Sequence, residues 1–138
     1  MKSILLSVLL CIISFQISNA QWEQVATMQD DLRVISELVG QGLFVGVNSY
    51  GIFRSTNNGM TWIPTSLNNR SIYSMSPTGN YLFSGSDTYG VYVSTDGGYT
   101  WNPTALNNRS VYALGNNGNN IFAGTFQYGV YRSTNNGT

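Results

Sequence analysis

The chain has 138 residues with six basic and six acidic side chains, one cysteine and no histidine, for a formal net charge of zero. With 9% charged residues it lacks the clustered positive charge that nucleic acid requires, and without histidine it lacks histidine-based acid/base or metal chemistry. Abundant Gly, Asn, Ser, Thr and Tyr beside so few charges fit a turn-rich all-β protein, whose strands favour aromatic and β-branched residues.

Residues 1–20 read as a secretion signal. Lys2 supplies the positive start, Ile4 to Ile13 the apolar run, and Ser18-Asn19-Ala20 the small residues before a cleavage point. The run is shorter than the roughly 20 residues of a membrane span. Leu10 stands where a lipoprotein signal around Cys11 needs a small residue. Cleavage after Ala20 would leave Gln21 first, remove Cys11, and leave five arginines against six acids. A cysteine-free exported chain holds together by packing and backbone pairing. The expected location is secreted, periplasmic or cell-surface, with no transmembrane segment in the mature chain.

Beyond the signal the sequence repeats. Ser55-Thr56-Asn57-Asn58-Gly59-Met60-Thr61-Trp62 returns 39 residues later as Ser94-Thr95-Asp96-Gly97-Gly98-Tyr99-Thr100-Trp101, and Ser133-Thr134-Asn135-Asn136-Gly137 follows at the same interval. Phe44, Phe83 and Phe122 keep the step, as do Gly46, Gly85 and Gly124, Tyr50, Tyr89 and Tyr128, and Gly51, Gly90 and Gly129. A constant period of this size marks a solenoid, propeller or array. In the middle copy, Ser71 to Ser76, Tyr81 to Ser86, Gly90 to Ser94 and Tyr99 to Thr104 are predicted strands, separated by Gly-, Asn- and Asp-containing turns. Four short antiparallel strands per unit is the size of a propeller blade, and the apolar spacing of a helical repeat is missing. Matching Val34 to Ile72 makes the first unit one residue shorter before Phe44, with the deletion in the turn between its first two strands.

The predicted organisation is a signal at 1–20, an orphan outer strand and linker at 21–31, blade 1 at 32–69, blade 2 at 70–108, and blade 3 at 109–138 lacking its outer strand. The orphan strand is read from Gln21-Trp22-Glu23-Gln24-Val25, which parallels Thr61-Trp62-Ile63-Pro64-Thr65. The fold class is an all-β propeller of four-stranded antiparallel blades. About three blades are expected where closed rings have 4 to 8, so the chain reads as the N-terminal portion of a longer propeller. The orphan strand would then complete the last blade of the full ring; the alternative is closure within this segment, with Trp22 completing the third unit.

The pattern Ser-x-Asp/Asn-x-Gly-x-Thr-Trp resembles the Asp-box, or BNR repeat, of sialidase-type propellers, sortilin-like receptors, xyloglucanase-type glycosidases and photosystem II assembly-factor-like proteins. Its positions here are Ser55, Asn57, Gly59, Thr61 and Trp62, then Ser94, Asp96, Gly98, Thr100 and Trp101, then Ser133, Asn135 and Gly137. The resemblance implies a hairpin between the third and fourth strands, at the blade periphery and away from any active centre. Physically, Asp96 or its Asn equivalents accept backbone hydrogen bonds, Gly98 takes positive φ, Thr100 closes the turn, and Trp101 buries its ring between blades. Two of three copies carry Asn for Asp and no other carboxylates sit nearby, so no calcium site, other metal or cofactor is expected.

No catalytic residues are assigned. A sialidase-like site needs three arginines from different blades, a Tyr–Glu pair and an Asp. Arg70 with Arg109, and Arg54 with Arg132, recur with the period, which fits a need common to each blade. Arg33-Val34-Ile35 lacks the proline of that family's Arg-Ile-Pro. Glycosidase chemistry needs two carboxylates about 5 to 10 Å apart. The adjacent Asp30 and Asp31 point to opposite faces if extended, and read as a solvated linker. Asn69-Arg70-Ser71, Asn108-Arg109-Ser110 and Asn136-Gly137-Thr138 match glycosylation acceptors, at a spacing that the repeat itself imposes.

The candidate ligand face is where copies differ at exposed turns. Connections between second and third strands, with the loops joining blades, open on one face and carry Tyr50, Asp87, Tyr89, Phe126, Tyr128, Arg70 and Arg109. Such a face suits a sugar or a peptide, and the same Tyr and Arg residues have the competing role of cross-linking blades. The expected function is a non-catalytic exported scaffold for a protein or glycan. The alternatives are the N-terminal part of a secreted glycosidase with catalytic residues in further blades, and an assembly-factor-like propeller docking a membrane protein.

Overall fold

The computed structural model describes residues 22–27 and 30–138. The signal at 1–20, with Cys11, and Gln21 lie outside the described residues. The rest forms eleven strands in three antiparallel sheets: β1 (Leu32–Leu38), β2 (Gly42–Val47), β3 (Gly51–Ser55) and β4 (Ile63–Pro64); β5 (Ile72–Thr78), β6 (Tyr81–Ser86), β7 (Gly90–Ser94) and β8 (Asn102–Pro103); and β9 (Val111–Asn117), β10 (Asn120–Thr125) and β11 (Gly129–Ser133). Each sheet is ordered as the chain runs, so every blade is a meander. The all-β propeller-type fold is the one the repeat implies. The fourth strands are only two residues long because the hairpin before them consumes the chain and Pro64 and Pro103 offer no ladder donor. Residues 22–27 form no strand within this chain, and Trp22 is fully exposed.

The blades pack through their repeated residues. Phe44 and Phe83 are fully buried, and a Cβ added at Gly98 of blade 2 would overlap the ring of Phe44 in blade 1. Gly137 of blade 3 likewise comes down beside Phe83, its added Cβ 3.7 Å from Phe83 Cε1. Ile72 presses on Gly46 and Val111 on Gly85, so each blade seats a β-branched side chain on the glycine of the blade before it. The backbone joins too: Gly51 N donates to Arg70 O and Gly90 N to Arg109 O, while Ile52 N and Val91 N hold the loops leaving their own blades at Leu67 O and Leu106 O. Two apolar clusters result, one about Phe44, Ile72 and Trp101 and one about Phe83, Val91 and Val111.

Strand register overturns the expected deletion in the first unit. Leu32 lies opposite Val47 as Ile72 lies opposite Ser86, and Val34 lies opposite Gly46 as Ser74 lies opposite Gly85. Val34 therefore corresponds to Ser74, not to Ile72, and the first unit carries one additional residue in the turn Val39-Gly40-Gln41, against Gly79-Asn80. A β-bulge in each first strand shifts the side-chain phase by one residue, and both Val34 and Ile72 abut Gly46, so apolar character alone matches the wrong pair.

Candidate functional site

The repeated hairpin is built from its own side chains. Ser94 Oγ accepts from Gly98 N at 2.8 Å and donates to Asp96 Oδ1 at 2.9 Å. Asp96 then accepts from the amides of Tyr99 and Thr100 and from the Thr100 hydroxyl at 2.6 Å. Burial works to raise the Asp96 carboxyl, but these bonds outweigh it and hold the group below the usual carboxylate range. Asn57 fills the same place with reversed polarity: its Oδ1 accepts from Thr61 N while its Nδ2 donates to the Thr61 hydroxyl, both at 2.9 Å. In the third copy Ser133 Oγ accepts from Gly137 N and donates to Asn135. Gly59, Gly98 and Gly137 share φ of 84 to 85°, the left-handed region that favours glycine. The Trp101 indole, 8% exposed, donates to Gly98 O at 3.2 Å and packs with Phe44, Ile52 and Leu67. Both carboxylate oxygens of Asp96 are spent on its own turn, which shapes the hairpin whose Gly98 and Trp101 lie against Phe44 of blade 1.

The candidate face divides in two. The turns between second and third strands lie at the same end of the sheets as the starts of β1, β5 and β9, because those starts pair with the ends of β2, β6 and β10. On the outer side Arg70 stands 3.8 Å over the Tyr89 ring and Arg109 4.1 Å over Tyr128. Since the main chains of both arginines are held by the preceding blade, these cation–π pairs fasten neighbours together. Tyr50 is exposed, and among the described residues no arginine is found over it. On the periphery Arg54 makes a similar bridge to Tyr99 of blade 2, at 4.4 Å.

On the inner side lies an assembly that pattern reading missed. The extra residue of each first-strand bulge is Arg33, Tyr73 or Tyr112, and the bulges aim all three into one row. The Arg33 guanidinium sits 4.9 Å from the Tyr73 centroid, Tyr73 stacks on Tyr112 at 4.6 Å, and Phe126 meets Tyr112 edge-on at 5.9 Å and 66°. Burial raises the Tyr73 phenol above its ordinary value, with the Asp87 charge and Tyr112 adding to it and Arg33 opposing. Asp31 pairs with Arg33 at 2.7 Å.

Asp87 and Phe126 thus belong to this inner row, while Tyr89, Tyr128, Arg70 and Arg109 belong to the outer braces. Asp87 also accepts from the Ser110 hydroxyl of blade 3 at 2.8 Å, and Asn48 accepts from Ser71 of blade 2 in the same way. At the third equivalent position Phe126 replaces this polar tie with an apolar ring that is 55% exposed. The break at Phe126 was visible in the sequence; the bulges behind Tyr73 and Tyr112 were not. Among the described residues no three His, Cys, Asp or Glu side chains gather as metal ligands, and no helix is long and apolar enough to cross a membrane.

A family model described as the BNR/Asp-box repeat matches residues 92–103, which run from β7 through the blade 2 hairpin to β8. Among solved structures, the crystal structure of an ancestral GH74 enzyme is similar, with 25% identity and a TM-score of 0.64 over 77% of this chain. The chain spans 17% of the length of that enzyme. No curated protein matches it. The chain therefore carries the BNR/Asp-box repeat at residues 92–103, within a fold of four- and three-stranded antiparallel blades of the β-propeller type.

Proposed function

We propose that the chain is part of an exported propeller that binds a glycan on the face where its β2–β3-type turns open. The observation that carries this is the inner row Arg33–Tyr73–Tyr112–Phe126. Tyr112 is 48% and Phe126 55% exposed, and their rings meet edge-on at 66°, two apolar surfaces set at an angle. The Asp87 carboxylate at one side offers an acceptor for sugar hydroxyls. Apolar walls with a few placed polar groups are the usual make-up of small-ligand sites. Binding is expected without turnover by these residues.

A second reading is favoured by the likeness to the GH74 enzyme: the same face forms one part of a secreted glycosidase whose reacting carboxylates stand on further blades. Glycan-array binding with the purified protein, alongside hydrolysis assays on the same glycans, tests both. Tyr112→Ala or Phe126→Ala is expected to weaken binding by roughly two- to tenfold, the worth of one aromatic contact. If no glycan binds, the first reading fails; hydrolysis that survives both substitutions would favour the second. Retention of a protein ligand in place of any glycan would move the ligand class to peptides.

A further inference from the structure

The hairpins of blades 1 and 2 share a shape but not a polarity. In blade 2 the Thr100 hydroxyl gives its proton to Asp96 Oδ2 at 2.6 Å. In blade 1 the Thr61 hydroxyl accepts from Asn57 Nδ2 at 2.9 Å, so its own proton is left to donate elsewhere. Thr61 borders a groove of about 270 Å³ at the periphery, between β3 and β4 of blade 1 and the Gly98-Tyr99 corner of the blade 2 hairpin. Both walls belong to adjacent blades of this chain.

The lining combines hydrogen-bond donors with apolar surface. Arg54 Nε and Nη2 donate to Gln41 O at 3.1 and 2.6 Å, which fixes the guanidinium 4.4 Å over the Tyr99 ring. Its Nη1 has no bond among the described residues. The Thr65 hydroxyl accepts from Leu67 N at 3.3 Å and, like that of Thr61, keeps a proton to give. Ile63 and Tyr99 are 66% and 63% exposed and supply the apolar sides. No carboxylate lines the groove, and among the described residues Arg54 has no acidic partner. Asp96, the acid of the adjoining hairpin, has both oxygens bonded within its own turn. One repeat on, Val93 stands in the place of Arg54, Asp96 in that of Asn57 and Asn102 in that of Ile63. At the first junction, then, one difference adds a positive charge, the second removes a negative one and frees a hydroxyl proton, and the third adds apolar surface.

We propose that this groove binds a small organic carboxylate with a body the size of one ring. The carboxylate lies on Arg54 Nη1 and the Thr61 and Thr65 hydroxyls, and the body packs between Ile63 and Tyr99. A groove at the low end of ligand-site volumes holds a single ring and not a chain. Two sources supply this chemistry, the uronic acid unit of a glycan and a free aromatic acid. The groove shares no residue with the inner row, and its occupancy does not depend on a ligand there.

Titration calorimetry with glucuronate, benzoate and glucose tests it. At least one acid is expected to bind, and glucose and the amide of the binding acid are not. Tighter binding of glucuronate assigns the sugar source, and tighter binding of benzoate the free acid. Arg54→Val, which copies blade 2, should weaken binding about tenfold or more, the worth of a charge-assisted hydrogen bond. Asn57→Asp, which keeps the turn as Asp96 does, should weaken it about three- to tenfold by claiming the Thr61 proton and adding a like charge. Ile63→Asn should weaken it about two- to fivefold. Thermal melts establish that each variant is folded. Failure of both acids to bind overturns the proposal, as does an amide that binds as well as its acid. So does an affinity unchanged in Arg54→Val and Asn57→Asp alike.

Discussion

The junction between blades 1 and 2 and the one between blades 2 and 3 are built from corresponding residues, yet only the first is filled. In the first, Gly98 lies against Phe44, Trp101 is sealed inside, and Phe44 is inaccessible to water. In the second, Gly137 and Phe83 meet in the same way, but a cavity stands where the indole would be. On the far face of blade 3, Phe122 is half-buried and Gly129 has nothing within 4 Å of an added Cβ, whereas Gly90 is covered by Leu106. A repeat residue therefore has no fixed energetic value; its neighbours decide it, as expected where stability sums over units and their interfaces.

The largest effect expected from this contrast is at the filled junction. Trp101→Ala should cost about 3–5 kcal/mol, the range for removing a buried aromatic. Trp62→Ala, at the half-buried equivalent facing the front of blade 1, should cost clearly less. Chemical denaturation of the two variants measures the difference, and equal losses would break the comparison. An intermediate effect is expected at the third-strand glycines. Gly129→Ala meets only the conformational penalty of φ +79°, about 1–2 kcal/mol. Gly90→Ala adds an overlap with the backbone of Leu106, and should cost about 1–3 kcal/mol more.

The smallest effect concerns the one titrating staple. Because the Asp96 carboxyl is held below its ordinary value of 3.8 in the folded chain, its contribution is complete above that value and is lost as pH falls through the folded value. Asn57 and Asn135 hold the same turn without titrating. Asp96→Asn should leave the melting temperature at neutral pH nearly unchanged and flatten its decline under acid, as thermal melts between neutral and strongly acidic pH would show. An unchanged acid limb would mean that Asp96 does not govern it.

Much of the fold was legible because a period needs no tertiary information. The 39-residue step located the strands of the middle copy, and β6 and β7 match their predicted bounds. The staple was also legible, since Ser94, Asp96, Gly98 and Thr100 bond within one turn and local chemistry is written locally. The inner row was legible only in part. The change from Asn48 and Asp87 to Phe126 pointed to it, but the partners of Phe126 did not show, because a bulge alters which way Tyr73 and Tyr112 point without altering composition.

The sequence by itself determined the class of fold, the repeat, the hairpin and the residues free to vary on its exposed turns. All of these depend on backbone propensity and on contacts a few residues apart. Tertiary structure alone decided which equivalents are buried, that Arg70 and Arg109 brace neighbouring blades, and that Arg33, Tyr73, Tyr112 and Phe126 form one row. Those outcomes depend on what the adjacent blade places opposite each residue, and identical repeats cannot encode a difference between their neighbours.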